Sequence, residues 1–508
     1  MIQSRRSFTA TLLLAICLVA TFYTAARIGI LGPSYIQPPL SIPYYHGHAH
    51  AATGANNNTD PQDGAASGAS LSSSSPVKDP ACAWIPDTSN ILVVMKTGAS
   101  EAYARVPTQL MTTLRCVPDY LIFSDMKQTL AGVEIHDSLD TVLEEAKKDN
   151  SDFVLYDYQK ACEVDLENCN REGGDAAKAG WNLDKYKNIH IAEKAFALRP
   201  NYDWYVFIDA DTYVLWPNLV QWLKNFRSTS KHYFGSMTMI SMFPFAHGGS
   251  GYVISKAAMT EFNGRPDGSV ANKWDTKIHD SCCGDYMFAK AFKETTDVSV
   301  KNVWPTINGE KPYTLPFGPT HWCHPVVTMH HLNSQEISSF WEYERDFFSP
   351  HDSSARSSLS TPPQRTLLLK DIYTHFFAPK MQSSREDWDN LSDDVLYVDL
   401  STSTDSKGRK LETWELDRAK KGPMTQVERK AHKSFEDCRA MCEAANDCFQ
   451  FLYHAGVCAK SFSFKLGHPN RSEQSPAYRW RSGWNVPKIN KWIERQGECK
   501  KPIWPKVQ

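Results

Sequence analysis

The chain has 508 residues, long for one ordinary domain and enough for two folded units with accessory segments. A hydrophobic fraction of 42% and a charged fraction of 22% are those of a globular protein. The formal net charge of -2, with no basic block, excludes the electrostatic footprint of a nucleic-acid binder.

At the N-terminus, Arg5 and Arg6 precede an uncharged run, Phe8–Ala26 ("FTATLLLAICLVATFYTAA"). Its nineteen residues approach the roughly 20 needed for a bilayer-spanning helix. Arginines ahead of the run and only Arg27 just behind it predict a cytoplasmic tail over 1–7, a signal anchor over 8–26 and a single-pass type II arrangement. A cleaved signal peptide ending at "TAA" is the alternative. Either way the bulk of the chain is expected in the lumen of the endoplasmic reticulum or Golgi. Thirteen cysteines, of which only Cys17 lies in the apolar run, suit that oxidising compartment. Asn57, Asn390 and Asn470 head glycan sequons.

The Pro-, Ser-, Ala- and Gly-rich stretch to residue 88 ("NNNTDPQDGAASGASLSSSS") predicts a disordered stem over 27–88. Within it, "HGHAH" at His46–His50 reads as compositional drift rather than a metal site. Order is predicted from "ILVVMKTG" (Ile91–Gly98), a short buried strand, followed by a helix over Glu101–Leu114 and a second strand, "DYLIFSD" (Asp119–Asp125). A charged helix is expected over Asp140–Lys148, and a strand or sheet edge at "DFVLYDY" (Asp152–Tyr158). The spacing predicts a helix over Asp184–Leu198, ended by Pro200. Next comes "DWYVFIDADTYV" (Asp203–Val214), an apolar strand delivering two carboxylates at its end, and then a helix over Leu219–Phe226. Strands alternating with helices imply an α/β domain with a largely parallel sheet, in which ligands bind beyond the carboxyl ends of the strands.

Asp209 and Asp211, one residue apart, can both reach one hard divalent cation while substrate phosphates complete its shell. A turn or helix cap is the plain alternative. The rival chemistry is a haloacid-dehalogenase-like phosphatase with Asp209 as nucleophile, a pattern that wants Thr or Val where Tyr213 stands.

The same stretch, continued by "NLVQWL", resembles the strand and metal motif of the Fringe and core 1 β1,3-galactosyltransferase group (glycosyltransferase family 31, fungal type), with Ala210 replacing the middle of three acids. "FAHGGSGYVISKAAM" (Phe245–Met259) is similar to that family's Gly-Gly-x-Gly-Tyr-Val-x-Ser segment, which implies sugar-side contacts at Gly248, Gly249, Ser250 and Gly251. "HDSCCGDYMFAKAF" (His279–Phe292) resembles the acidic pair opening a helix, with Gly284 in place of the first acid. The resemblance implies Asp285 as the base that takes the acceptor's hydroxyl proton, with Asp280 as an alternate. "VVTMHHLNS" (Val326–Ser334) resembles the strand bearing a metal-ligand histidine, here His330 with His331 as fallback.

By the same resemblance, Thr97, Gly98, Asp125, Lys185, Asp209 and Ala210 are nucleotide contacts, and Trp181 is a looser match. Taken together, the likeness over about 90–345 implies a GT-A type Rossmann-like catalytic domain over 89–350. It further implies a UDP-sugar donor, Mn²⁺ or Mg²⁺, and an inverting displacement. The implied reaction moves a hexose, galactose through a β1,3 linkage, to a glycoprotein glycan. A catalytically silent glycan- or protein-binding, chaperone-like relative on the same fold is the alternative.

Residues 351–425 read as a linker and a partly packed extension. In "SFEDCRAMCEAANDCFQFLYHAGVCAKSFSFKLG" (Ser434–Gly467), helical spacing puts Cys438 and Cys442 on one face, with Cys448 and Cys458 on following strands. This stretch resembles a PAN/apple module, a small disulfide-rich α+β unit expected over 426–500, with acceptor recognition or a structural cap as its role. Zinc is the competing reading, without a histidine at finger spacing. Cys499 is expected to tie the tail back to a partner left open.

Overall fold

The computed structural model describes residues 79–507, apart from 163, 173–175, 265–267, 319, 350–364 and 403. These residues fall in one compact unit, Ser75–Gln508. The expected tail, anchor and stem up to residue 78 lie outside the described residues, but 79–88, expected as disordered stem, is tied to the domain by the Cys82–Cys116 disulfide and by Ile85, which is buried in its core. Among the described residues, no helix is long and apolar enough to cross a membrane.

In chain order the first strands are β1 (Ile91–Lys96), β2 (Tyr120–Ser124), β3 (Gln128–Leu130), β4 (Val133–Asp137), β5 (Trp204–Asp209) and β6 (Tyr213–Val214). They are followed by β7 (Tyr233–Gly235), β8 (Met237–Ile240), β9 (Phe243–Ala246), β10 (Tyr252–Ser255), β11 (Lys301–Asn302) and β12 (Thr328–Met329). Eight of them form one sheet in the order β11-β7-β10-β5-β1-β2-β4-β3. Strands β5, β1, β2 and β4 run parallel, but β10 is antiparallel to both of its neighbours, so the sheet is mixed.

Strands β1 and β5 are apolar throughout because both of their faces are covered. Ile91, Val93 and Met95 join Trp204, Val206 and Ile208 in one core, while Leu92, Val94, Tyr205 and Phe207 face the other. The second core is closed by two helices, Ala176–Leu198 through Leu183, Tyr186 and Ile189, and Gly284–Thr296 through Met287, Phe288 and Ala291.

Three local expectations change. "DFVLYDY" is not a strand, since Ser151–Phe153 is a 3₁₀ turn running into a helix over Val154–Ala161. A short apolar run fits a strand or a buried helix equally well. Here Phe153 and Tyr156, at helical spacing, are both buried, and Phe153 packs its ring 4.7 Å from that of Tyr186. The charged helix near 140 shrinks to Glu144–Lys147, and the helix expected from Asp184 already begins at Ala176.

The C-terminal region is built onto this domain. Leu367, Leu369, Ile372 and Phe377 are buried in the first core. A five-stranded antiparallel sheet joins Ser384–Glu386, Arg481–Trp484, Gln450–His454, Val457–Ser461 and Val395–Tyr397, in that order. Both edge strands therefore come from the stretch expected as an extension, ahead of residue 426. Phe449, Phe464 and Trp484 belong to the same core as β1 and β5.

The helix Phe435–Ala444 presents Cys438 and Cys442 to this sheet, in the disulfides Cys438–Cys458 and Cys442–Cys448. Those bonds consume the four sulfurs that a zinc site would need. Cys499 pairs with Cys323 across 176 residues. The other pairs are Cys82–Cys116, Cys162–Cys169 and the adjacent Cys282–Cys283.

The sequon at Asn390 is not open to glycosylation in the fold. Its side chain is fully buried and donates to the carbonyls of Phe451 and Gly483 at 3.1 and 3.3 Å.

Behind the acidic motif, Glu344 on the helix Ser334–Phe348 is fully buried and accepts a 2.5 Å hydrogen bond from the Tyr213 hydroxyl. Burial pushes its carboxyl from 4.5 up to about 8, outweighing that bond. The folded chain thus keeps a proton that the unfolded chain releases, and stability falls as pH rises from 4.5 to about 8. Glu344→Gln is expected to flatten that fall, seen as a smaller difference between melting temperatures at about pH 5 and about pH 8.

Candidate active site

A cavity of about 630 Å³ opens at the carboxyl ends of β1 and β5. The parallel register sets Lys96 directly beside Asp209. The Lys96 ammonium lies 2.6 Å from Asp184 and 3.5 Å from Asp209. Burial pulls the ammonium's pKa down, but the carboxylates of Asp184 and Asp209 outweigh it and hold Lys96 well above its ordinary value. For Asp209, burial wins over the attraction of Lys96, helped by the neighbouring Asp184 and Asp211, and its carboxyl is raised.

The turn between the two aspartates is held from both sides. Gln109, buried on the helix Ala102–Met111, donates to the carbonyls of Ala210 and Thr212 at 2.8 and 3.0 Å. The Thr212 hydroxyl donates to the Gly249 carbonyl at 2.7 Å. Ala210 is itself buried among core residues, where an acid would lose its water without a partner.

Strand β12 returns antiparallel to β6, with Met329 opposite Tyr213, and so carries His330 back to Asp211. His330 Nε2 is 3.2 Å from Asp211 Oδ1. Consecutive side chains on a strand point to opposite faces, but His331 has a φ of +62°. That left-handed turn lays its ring beside that of His330, with centroids 3.8 Å apart. Asp211, His330 and His331 thereby offer ligand atoms within 4.8 Å of one another. Burial works to raise the Asp211 carboxyl, but the hydrogen bond and charge of His330, with Arg105 at 3.4 Å, hold it below the usual range.

These residues fit a divalent ion. Carboxylate and imidazole ligands converge, and His330 Nδ1 is buried without a hydrogen-bond partner. The fallback histidine is in the cluster, whereas Asp209 stands outside it and faces Lys96.

The glycines serve packing as much as any ligand. A Cβ on Gly249 would stand 2.2 Å from the His330 ring, so only glycine lets the imidazole sit there. Gly249→Ala is expected to displace His330 and weaken divalent-ion affinity about 10- to 100-fold, measured by calorimetry. Gly248 donates its N–H to Asp285 Oδ2 at 2.8 Å, and Asp285 Oδ1 accepts from the Tyr286 N–H at 2.8 Å. Asp285 is thus fixed at the start of its helix, on the cavity wall. At Gly284 a Cβ would meet the Asp184 carbonyl at 2.8 Å. Close helix packing therefore leaves no room for the first acid of the motif that this stretch resembles.

Of the remaining predicted residues, Thr97, Gly98, Lys185 and Trp181 line the cavity. Lys185 is already engaged by Asp152 at 2.7 Å and the His279 carbonyl at 2.8 Å. Asp125 is fully buried outside the lining, where it accepts from the Ala99 N–H at 2.8 Å and pairs with Lys187. It braces the loop after β1. Ser250 and Gly251 also lie beneath the cavity surface. The Ser250 hydroxyl meets His247 Nδ1 at 2.8 Å, and its carbonyl accepts from Thr328 at 2.7 Å. Gly251, at a φ of +79°, supplies the turn. Asp280 is exposed and outside the lining.

Sequence reasoning missed Lys96, Asp184, Lys187, Arg105 and His247, all on the cavity wall. The lysine closing an otherwise apolar strand, and the Asp184/Lys187 pair at helical spacing, were the visible signals.

No curated protein matches the chain. Residues 88–301, which carry every cavity residue named above except His330 and His331, match the model of the Fringe-like family, and over that segment the chain is similar to its glycosyltransferases.

Proposed function

We propose that this protein is a metal-dependent, inverting glycosyltransferase that moves a hexose from a UDP-sugar to a glycan on protein. The galactose donor and β1,3 linkage belong to the proposal, as do a type II anchor over 8–26 and a luminal site in the Golgi or endoplasmic reticulum. The observation that carries it is one cavity joining Asp209, Asp211 and His330 to Asp285, with the three aspartates inside the segment that matches the Fringe-like family.

Asp211 and His330, with His331 beside them and Asp209 across the turn, would hold Mn²⁺. When bound, such an ion would supply the Lewis acidity that neutralises a diphosphate leaving group. Thr97 and Gly98, braced from behind by Asp125 and Lys187, would receive the nucleotide. Asp285, its two oxygens oriented by backbone N–H groups, would take the proton of the acceptor hydroxyl as that oxygen attacks the anomeric carbon.

The silent-relative alternative drew on the acid missing at Gly284. Packing against Asp184 accounts for that glycine without loss of the base. The C-terminal unit, proposed as PAN/apple-like, would contribute acceptor recognition.

The decisive measurement is UDP release by the full chain from a panel of UDP-sugars, with and without Mn²⁺. Metal-dependent release from one donor is the expected result. Release from none, with Asp211→Ala indistinguishable from wild type, would sink the enzyme reading.

A further inference from the structure

The cavity lining is of two unlike kinds. One is charged, with Lys96, Asp184, Asp209 and Arg105, and suits a diphosphate with its metal. The other carries Trp181, Ile240, Phe245 and the bonded pair Cys282–Cys283. Trp181 is 60% exposed, although a tryptophan is normally well covered. Cys282 is exposed too, and the disulfide presents sulfur surface that makes no strong hydrogen bond.

The backbone segments that carry Trp181 and the disulfide are packed together. Gly284 is pressed against the backbone of Asp184 and Lys185, with an added Cβ only 2.8 Å from the Asp184 carbonyl. Trp181 stands one helical turn before those residues, and Cys283 immediately precedes Gly284. Two residues beyond the disulfide is Asp285, fixed to Gly248.

The geometry points to a pyranose-binding subsite at these apolar residues, in which the C–H face of the acceptor sugar lies on Trp181 and the Cys282–Cys283 disulfide. The inference rests on the glycosyltransferase reading and deepens it. A pyranose has one face rich in C–H groups and a rim of hydroxyls. A flat apolar surface buries the face and leaves the rim free. The bond between Cys282 and Cys283 also locks the residues that lead into the helix of Asp285, so the surface holding the sugar and the carboxylate that would deprotonate it form one rigid piece. An apolar platform here selects a ring with an uncrowded face and leaves the diphosphate to the charged residues.

The test is steady-state kinetics on the full chain with Mn²⁺, the preferred UDP-sugar and a panel of aryl hexosides and N-acetylhexosaminides. Trp181→Ala is expected to raise acceptor KM about tenfold more than donor KM, and Trp181→Phe to recover most of that loss. Cys282→Ser combined with Cys283→Ser should reproduce the split. If that double variant does not fold, the two Trp181 variants decide alone. Acceptor KM unchanged in Trp181→Ala, or donor KM rising in step with it, would overturn the subsite while UDP binding by calorimetry stays intact. Absence of UDP binding to the wild-type protein would instead overturn the glycosyltransferase reading, and the subsite with it.

Discussion

Asp285→Asn is expected to lower kcat by about 10²- to 10⁴-fold while leaving donor KM close to wild type. The amide keeps an oxygen able to accept the Gly248 or Tyr286 N–H, so the start of the helix stays in place. What it loses is a lone pair basic enough to take a proton. Single-turnover transfer and UDP binding by calorimetry separate the two effects. An unchanged kcat would remove Asp285 from the proton-transfer role. Asp184 would then be the carboxylate to test, since it shares the cavity wall, although Lys96 holds it at 2.6 Å.

Asp211→Ala should be as damaging for a different reason. Its carboxylate is the group that faces His330 at 3.2 Å, and its removal leaves Arg105 without that partner as well. Loss of a Lewis-acid site worth several kcal/mol corresponds to about a 10³-fold fall in metal-dependent turnover. Mn²⁺ titration followed by electron paramagnetic resonance should show weakened binding in the same variant. Asp209→Ala provides the contrast. Because Asp209 is engaged by Lys96 and lies outside the Asp211–His330–His331 cluster, its loss should weaken Mn²⁺ less than loss of Asp211. Equal or greater weakening would put both carboxylates on the ion.

Some of this was legible in the chain. An apolar run of the length of β5 needs cover on both faces, so its place in a central strand, with carboxylates at the carboxyl end, followed from composition. The match of residues 88–301 to the Fringe-like family agrees with the resemblance read from those motifs.

Other features depend on register and long-range packing, which no local pattern encodes. Lys96 and Asp184 are 88 positions apart and meet only because β1 and the helix after Ala176 converge on one cavity. His331 looked like a fallback to His330. A left-handed backbone makes the two neighbours face the same point. Asp125 and Lys185 stood where nucleotide contacts were expected, yet both already hold partners within the fold. "DFVLYDY" could have gone either way until Tyr186 gave Phe153 something to pack against.

The bond from Cys323 to Cys499, with Phe449, Phe464 and Trp484 seated in the core of β1 and β5, restricts how this protein can be cut. A fragment ending near residue 350, the natural choice for isolating the half that holds the cavity, would leave Cys323 as a free thiol. It would also strip aromatic cover from the ring of Phe317, which now packs on Phe464 at 6.0 Å. Such a fragment should be recovered insoluble or as disulfide-linked multimers. The smallest soluble piece should therefore run from the first described residues through Cys499, and a transplanted C-terminal unit would have to bring residues 365–397 with it.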